Sequence, residues 1–222
     1  MDIGGNSYFI GLNQRVLNLE LLLPFCAATA ALALSPGPDN IFVLIQSMTN
    51  GKRYGLATIA GLMTGCLVHT SLLAFGVSII IKDNPIVFNA IKIFGALYLL
   101  YLAWQVLNSD EAISLGNGKG NKKGLLALFK QGFVMNVLNP KVTIFFLAFF
   151  PGFLFSEELS TVVQFYVLGF LFILVSSFVF CGIALLAASI ADFLKKNART
   201  GAVLKWLQII VFVGIAIYLL IG

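Results

Sequence analysis

The residue with the clearest chemical potential is Asp39, a carboxyl set directly after Ser35-Pro36-Gly37-Pro38 inside a long apolar run and followed by Asn40. Placing a charged side chain at the centre of a lipid-embedded helix costs about 2.5–3.5 kcal/mol on insertion scales, so such a group is normally tied to function or to a partner. It could bind an ammonium group or a proton, or it could cap the helix that restarts at Pro38. A second motif of the same kind lies a hundred residues on, at Asn139-Pro140-Lys141. Its lysine could neutralise Asp39 or hold a carboxylate, or it could snorkel to the membrane surface. Asn40, Asn136 and Asn139 bring amide donors and acceptors to the same two places, and Asn139 before Pro140 also fits a helix cap with proline in the first turn. His69 is the single histidine. Imidazole titrates near neutrality, which suits a proton relay, while a histidine hydrogen-bonded between helices would need no such role.

Other chemistries find no support. No His, Cys, Asp and Glu residues recur at metal-ligand spacing, no nucleophile stands with a base, and there is no phosphate-binding glycine loop. No cofactor or metal is implied. Cys26, Cys66 and Cys181 are odd in number and set in apolar segments, which points to packing rather than to a disulfide framework or a redox pair.

The elements that must hold these residues are membrane helices. Of the 222 residues, 59% are hydrophobic and 10% charged, against roughly 25% charged in an ordinary soluble domain; the mean hydropathy is +0.98. Apolar runs at 19–48, 55–81, 86–107, 132–155, 160–190 and 202–221 predict six spans. Residues 1–18 form a polar segment without the basic start of a cleaved signal peptide. Residues 19–222 read as one transmembrane domain. Its halves, 19–107 and 132–221, are joined by a linker over 108–131 that carries Gly116, Gly118, Gly120 and Gly124 among lysines.

The net charge of +5 could suggest nucleic acid, but the basic residues sit in short loops. Lys52, Arg53, Lys119, Lys122, Lys123, Lys130, Lys195, Lys196 and Arg199 follow spans one, three and five, against Arg15 and Lys82 on the other side beside Glu157 and Glu158. The positive-inside rule then places the odd-numbered loops in the cytoplasm and both termini outside. Lys92 and Lys205 can snorkel to the nearer surface.

Three spans per half make any repeat an inverted one. Five of the six prolines lie in or beside spans one and four: Pro24, Pro36, Pro38, Pro140 and Pro151. Spans two and five carry small residues that allow close helix approach, Gly61, Gly65 and Gly76 against Gly169, Ser176, Ser177 and Gly182. Those faces could serve packing within one chain or a homo-oligomer. Spans three and six match weakly. The expected fold is all-α, a six-helix 3+3 inverted repeat with helices one and four broken. Paired breaks in corresponding spans point to a transport site near the bilayer midplane. Each proline frees carbonyls that hydrocarbon cannot satisfy, so the breaks should face the protein interior or water. The restarted segments offer free N–H groups suited to a carboxylate. Without a nucleotide site, energy would come from a gradient, with Asp39 or His69 carrying the proton. The phenylalanines, 21 in number, read as packing and lipid-facing residues.

At these residues the chain resembles the LysE-type amino-acid exporter family, most closely its homoserine/threonine-exporter branch. The likeness runs through Ala33-Leu34-Ser35-Pro36-Gly37-Pro38-Asp39-Asn40, Gly51-Lys52-Arg53-Tyr54-Gly55-Leu56 and the Gly61, Gly65, His69 pattern. It continues through Lys92-Ile93-Phe94-Gly95-Ala96-Leu97-Tyr98-Leu99, Trp104, Gln131-Gly132-Phe133, Asn136, Asn139-Pro140-Lys141, Phe145-Phe146 and Pro151. The polar extension of 1–18 departs from it. The resemblance implies an inner-membrane exporter of amino acids or related small molecules working by proton antiport, and no enzyme. Its partners would be the small-molecule substrate, protons and the lipid bilayer. The alternatives are an exporter of another small solute or ion, for which a lone histidine and three scattered cysteines supply few ligands, a membrane redox protein using those cysteines, and a non-transporting scaffold.

Overall fold

Prolines decide where the first and fourth apolar runs break. Ser35 precedes Pro36 and is driven out of helical geometry (φ −63°, ψ 118°). Gly37 is fully extended (φ −163°, ψ 176°), and the chain re-enters a helix at Pro38. Asn139 before Pro140 repeats the pattern (φ −77°, ψ 107°). A computed structural model supplies the fold, and the description covers residues 19–77, 85–108, 123–190 and 199–221. The polar segment 1–18, most of the glycine–lysine linker, and Arg15, Lys82, Lys119, Lys122, Lys195 and Lys196 lie outside them.

Every described element is a helix. The first half comprises α1 (Leu22–Leu34), α2 (Pro38–Asn50), α3 (Lys52–Leu72) and α4 (Pro85–Leu107). The second half comprises α5 (Leu125–Val137), α6 (Pro140–Ile144), α7 (Thr161–Leu185) and α8 (Arg199–Ile221). Beyond α6 the chain winds on through a π-turn, Phe145–Phe149, and a 3-10 turn, Phe150–Phe153. The α1–α2 pair bends by 61° and the fourth-span pair, α5 with Pro140–Phe153, by 50°. Each half therefore runs as a broken helix followed by two unbroken ones.

Lys52–Gly76, Asn89–Leu107 and Thr161–Leu185 are long and apolar enough to cross a membrane, and the bent pairs bring the number to five if each is one span. The sixth expected span corresponds to α8, which contributes a shorter apolar helix, Lys205–Ile221. Two boundaries differ from the sequence reading. Helix α5 begins at Leu125, behind Gly124 in extended geometry, so it takes in the last turns of the stretch read as linker. Helix α7 ends at Leu185 with a bend at Leu186, and helix resumes over 187–190, so span five is interrupted near its end rather than continuous to 190.

Large apolar side chains cover the outside, and the polar side chains of the spans sit inside, beside an apolar core. Leu23, Phe94, Trp104, Phe170 and Phe178 are exposed, while Asp39, His69, Thr70, Asn136, Asn139 and Gln164 are buried. That inversion follows from lipid as the surrounding medium, since only the interior offers partners for polar groups. One core cluster is aromatic: Phe145, Phe146, Phe149, Phe150 and Phe153 are all buried around Phe25, Phe165 and Phe172. Rings four residues apart stack there, 4.5 Å between Phe145 and Phe149 and 4.1 Å between Phe146 and Phe150. These phenylalanines of span four are core rather than lipid-facing. A second, smaller cluster joins Ala33, Val43, Ile59, Leu62, Phe180 and Ala184.

Glycine sets the tightest helix contact, between α3 and α5. A β-carbon at Gly61 would run into the Phe129 carbonyl, and one at Gly132 into the Thr58 carbonyl. The two backbones thus approach each other reciprocally, as small residues permit in membrane helices. Gly76 and Gly182, grouped with them in the sequence reading, face open space and make no such contact.

Candidate functional site

The break in span one orphans particular carbonyls. In an unbroken helix Leu32 O would accept from residue 36, but Pro36 has no N–H, and Ala33 O would accept from residue 37, which has turned away. Side chains provide replacement donors. Asn40 Nδ2 donates to Ala33 O at 2.6 Å, folding the first turn of α2 back onto the end of α1. Lys141 Nζ donates to Leu32 O at 3.3 Å and to Ser35 O at 3.1 Å. The Ser35 N–H closes the end of α1 by bonding Ala31 O and Leu32 O. Lys141 therefore points into the protein and does not snorkel to the cytoplasmic surface. Its ammonium also lies 5.3 Å from the centre of the Phe212 ring.

Asn139 serves both readings that its sequence left open. Its Oδ1 accepts from the Lys141 N–H at 3.0 Å, capping α6, and its Nδ2 donates to Asp39 Oδ2 at 2.9 Å. The two breaks are thus joined through the Asn139 amide. The charges of Asp39 and Lys141 attract one another, yet the lysine spends its hydrogen bonds on the carbonyls of α1, so the link is not the direct ion pair that opposite charges at the two breaks suggested. Asp39 lies in the first turn of α2, where the positive helix end favours a carboxylate. Its other oxygen, Oδ1, is buried with no hydrogen-bond partner. A buried acceptor left unpaired costs about 1–3 kcal/mol, so the site carries a deficit that an incoming donor would remove.

Asp39 lines a cavity of about 30 Å³ that has Gly37, Asn40, Asn139 and Lys141 as the rest of its polar lining. Leu32, Val142, Phe172 and Phe180 supply apolar walls, so the cavity lies where the two core clusters meet. Its volume suits about one water, far below the ~300–1,000 Å³ of ordinary small-molecule pockets. Phe172 and Phe180, eight residues apart on α7, and Phe212 beneath the lysine escape sequence reasoning; nothing in a phenylalanine-rich helix marks them. The Ser35 hydroxyl, also buried and unpartnered, escapes it too, although the motif around it does not.

His69 and Asn136 form a neighbouring pair that does not line the cavity. The imidazole Nε2 lies 3.2 Å from Asn136 O, a carbonyl near the end of α5 that also accepts from the Asn139 N–H at 3.0 Å. A carbonyl only accepts, so Nε2 carries the proton. The ring sits 5.4 Å from that of Phe146. His69 thus adds a side-chain donor to a carbonyl at the break of span four, as Lys141 adds one at the break of span one. Asn136 in turn packs on Gly65, where a β-carbon would come within 2.6 Å of its Oδ1. On this geometry His69→Gln, whose amide can still donate to Asn136 O, should keep at least half of wild-type transport with an unchanged pH profile. A flux measurement across pH checks it, since loss of a proton relay would flatten the profile.

Among the described residues no three His, Cys, Asp or Glu side chains come together in a way that would hold a metal ion. Comparison with known proteins agrees with the architecture. Two relatives are named homoserine/homoserine lactone efflux protein, one from Salmonella typhi and one from Salmonella typhimurium (strain LT2). Each is 32% identical over 190 residues, covering 85% of this chain and 91% of the relative. No solved structure matches the chain. The LysE type translocator family matches over residues 30–222. The aligned region takes in both helix breaks and every cavity residue, so the chain belongs to the LysE type translocator family and is a membrane transporter rather than an enzyme.

Proposed function

We propose that the chain is a secondary exporter of small amino acids and their close derivatives in the inner membrane, exchanging them for protons by alternating access. The observation that carries this reading is Asp39 Oδ1, a buried carboxylate oxygen without a partner, on a residue that lines a small cavity between two broken helices. An ammonium group of the cargo satisfies that oxygen, and a proton satisfies it in the cargo's absence, so the two compete for one carboxylate. Competition of that kind couples opposite fluxes provided that the empty, charged carboxylate does not cross between the two conformations.

The relatives' names give the cargo chemistry more edge. Homoserine and its lactone share an α-ammonium, but only homoserine has a free carboxylate. A site that carries both must recognise the ammonium, and Asp39 is the group that does so. The carboxylate, where present, is received by the free N–H groups at the start of α2. With the odd-numbered loops in the cytoplasm, the aromatic cluster closes the outer side of the site. The smaller cluster of Val43, Ile59, Leu62 and Phe180 closes the inner side, and its few contacts make it the easier gate to part.

Purified protein in proteoliposomes should take up radiolabelled homoserine when the lumen is acidified relative to the bath, and a protonophore should abolish the uptake. Uptake that ignores the pH gradient would end the antiport reading. Failure of homoserine, its lactone and a panel of small amino acids to compete would end the cargo assignment.

A further inference from the structure

Broken-helix transporters commonly bind their coupling cation at unwound carbonyls and at the negative C-terminal end of a half-helix. Helix α1 ends in such a place. Leu32 O and Ser35 O converge on a single point, the dipole of α1 makes that point negative, and Asp39 adds its charge nearby. Phe212 presents a ring toward the same spot. The position holds the Lys141 ammonium.

The lysine is not there to suit its own helix. Lys141 is in the first turn of α6, where a cation opposes the helix dipole, and its N–H is pinned by Asn139 Oδ1. Its side chain reaches across the interface to the other half of the molecule. We propose that the break in span one is a monovalent-cation site filled by the protein's own ammonium, so that Lys141 is a tethered substitute for a coupling ion. Transport is therefore indifferent to Na⁺ and K⁺, and truncating Lys141 opens the site to a small free cation. The site accepts a compact ammonium or an alkali cation, because its ligands are neutral carbonyl oxygens with an aromatic face alongside. The inference rests on the exporter reading for its transport arm only.

The test has two arms. In the first, thermal unfolding of the detergent-purified protein is compared in choline, sodium, potassium and methylammonium chloride at equal ionic strength. Wild type should unfold at one temperature in all four. Lys141→Ala should unfold earlier in choline and recover by about 2–4 °C, saturably, in methylammonium or an alkali salt. In the second arm, homoserine flux by wild type should be the same in sodium and in choline. Flux by Lys141→Ala should fall at least tenfold and be partly rescued by methylammonium.

A Lys141→Ala protein whose stability ignores the cation overturns the proposal, and so does a wild-type flux that needs Na⁺. Lys141→Met retains the packed stem, and is used if the alanine variant does not fold. If neither folds in any salt, the ammonium is a structural strut and the proposal falls. Because the unfolding arm needs no substrate, its result is separable from a failure of the exporter reading.

Discussion

Asp39→Asn will cut proton-driven efflux by about 10²–10³-fold while leaving the protein folded. The substitution is isosteric, and the new side chain keeps a carbonyl oxygen that can accept the hydrogen bond Asn139 Nδ2 now gives to Asp39 Oδ2. What disappears is the charge and the capacity to exchange a proton. In the proposed complex Asp39 pairs with the cargo ammonium; truncating one partner of a buried hydrogen-bonded charge pair costs about 2–5 kcal/mol of binding, and each 1.4 kcal/mol is a factor of ten, a range that brackets the expected loss. Two measurements on the same preparation decide it: uptake in proteoliposomes under an imposed pH gradient, and the unfolding midpoint in detergent. Wild-type flux in the variant would remove Asp39 from the mechanism. A collapsed midpoint with lost flux would make the carboxylate a structural element first.

The largest stability effect is expected at the α3–α5 contact. Gly61→Val and Gly132→Val each drive a side chain into a backbone carbonyl of the facing helix, Phe129 in one case and Thr58 in the other. A backbone carbonyl cannot rotate away as a flexible side-chain end can, so the helices must separate. Overpacking costs about 1–3 kcal/mol where neighbours can adjust. Separation of α3 from α5 also disturbs His69 on Asn136 O and the seat of Asn136 on Gly65. Each variant should lose at least 5 °C in unfolding midpoint, at about 2–4 °C per kcal/mol for a chain of this size, or fail to purify as one species. Gly182→Ala is the matched control. Its β-carbon meets open space, and alanine is the better helix former by roughly 1 kcal/mol, so its midpoint should hold or rise. Equal midpoints for Gly132→Val and wild type would show that α3 and α5 are not locked as described.

Much of the architecture was legible in the residues because prolines act locally. Pro36, Pro38 and Pro140 remove donors from their own helices whatever surrounds them, so the two breaks and the expectation of buried partners could be written from the chain. Asp39 stood out for the same reason, as a charge whose insertion needs a return. Span lengths followed from apolar runs, though α5 starts earlier than its apolar run because Leu125 and Leu126 lie beside lysines that blurred the boundary.

What only the tertiary structure decided is which group answers which orphan. Lys141 was equally compatible with a partner at Asp39, a substrate carboxylate or the membrane surface; its stem can reach all three, and the position of the α1 carbonyls selects among targets more than a hundred residues away in sequence. His69 and Asn136 O are likewise remote in sequence and meet only because glycines bring α3 and α5 together. The inward phenylalanines could not be told from the outward ones, since a helix apolar on every side carries no periodic signal of which face is buried. Local chemistry in the chain created the unpaired groups; the packing of distant helices chose their partners and left Asp39 Oδ1 without one.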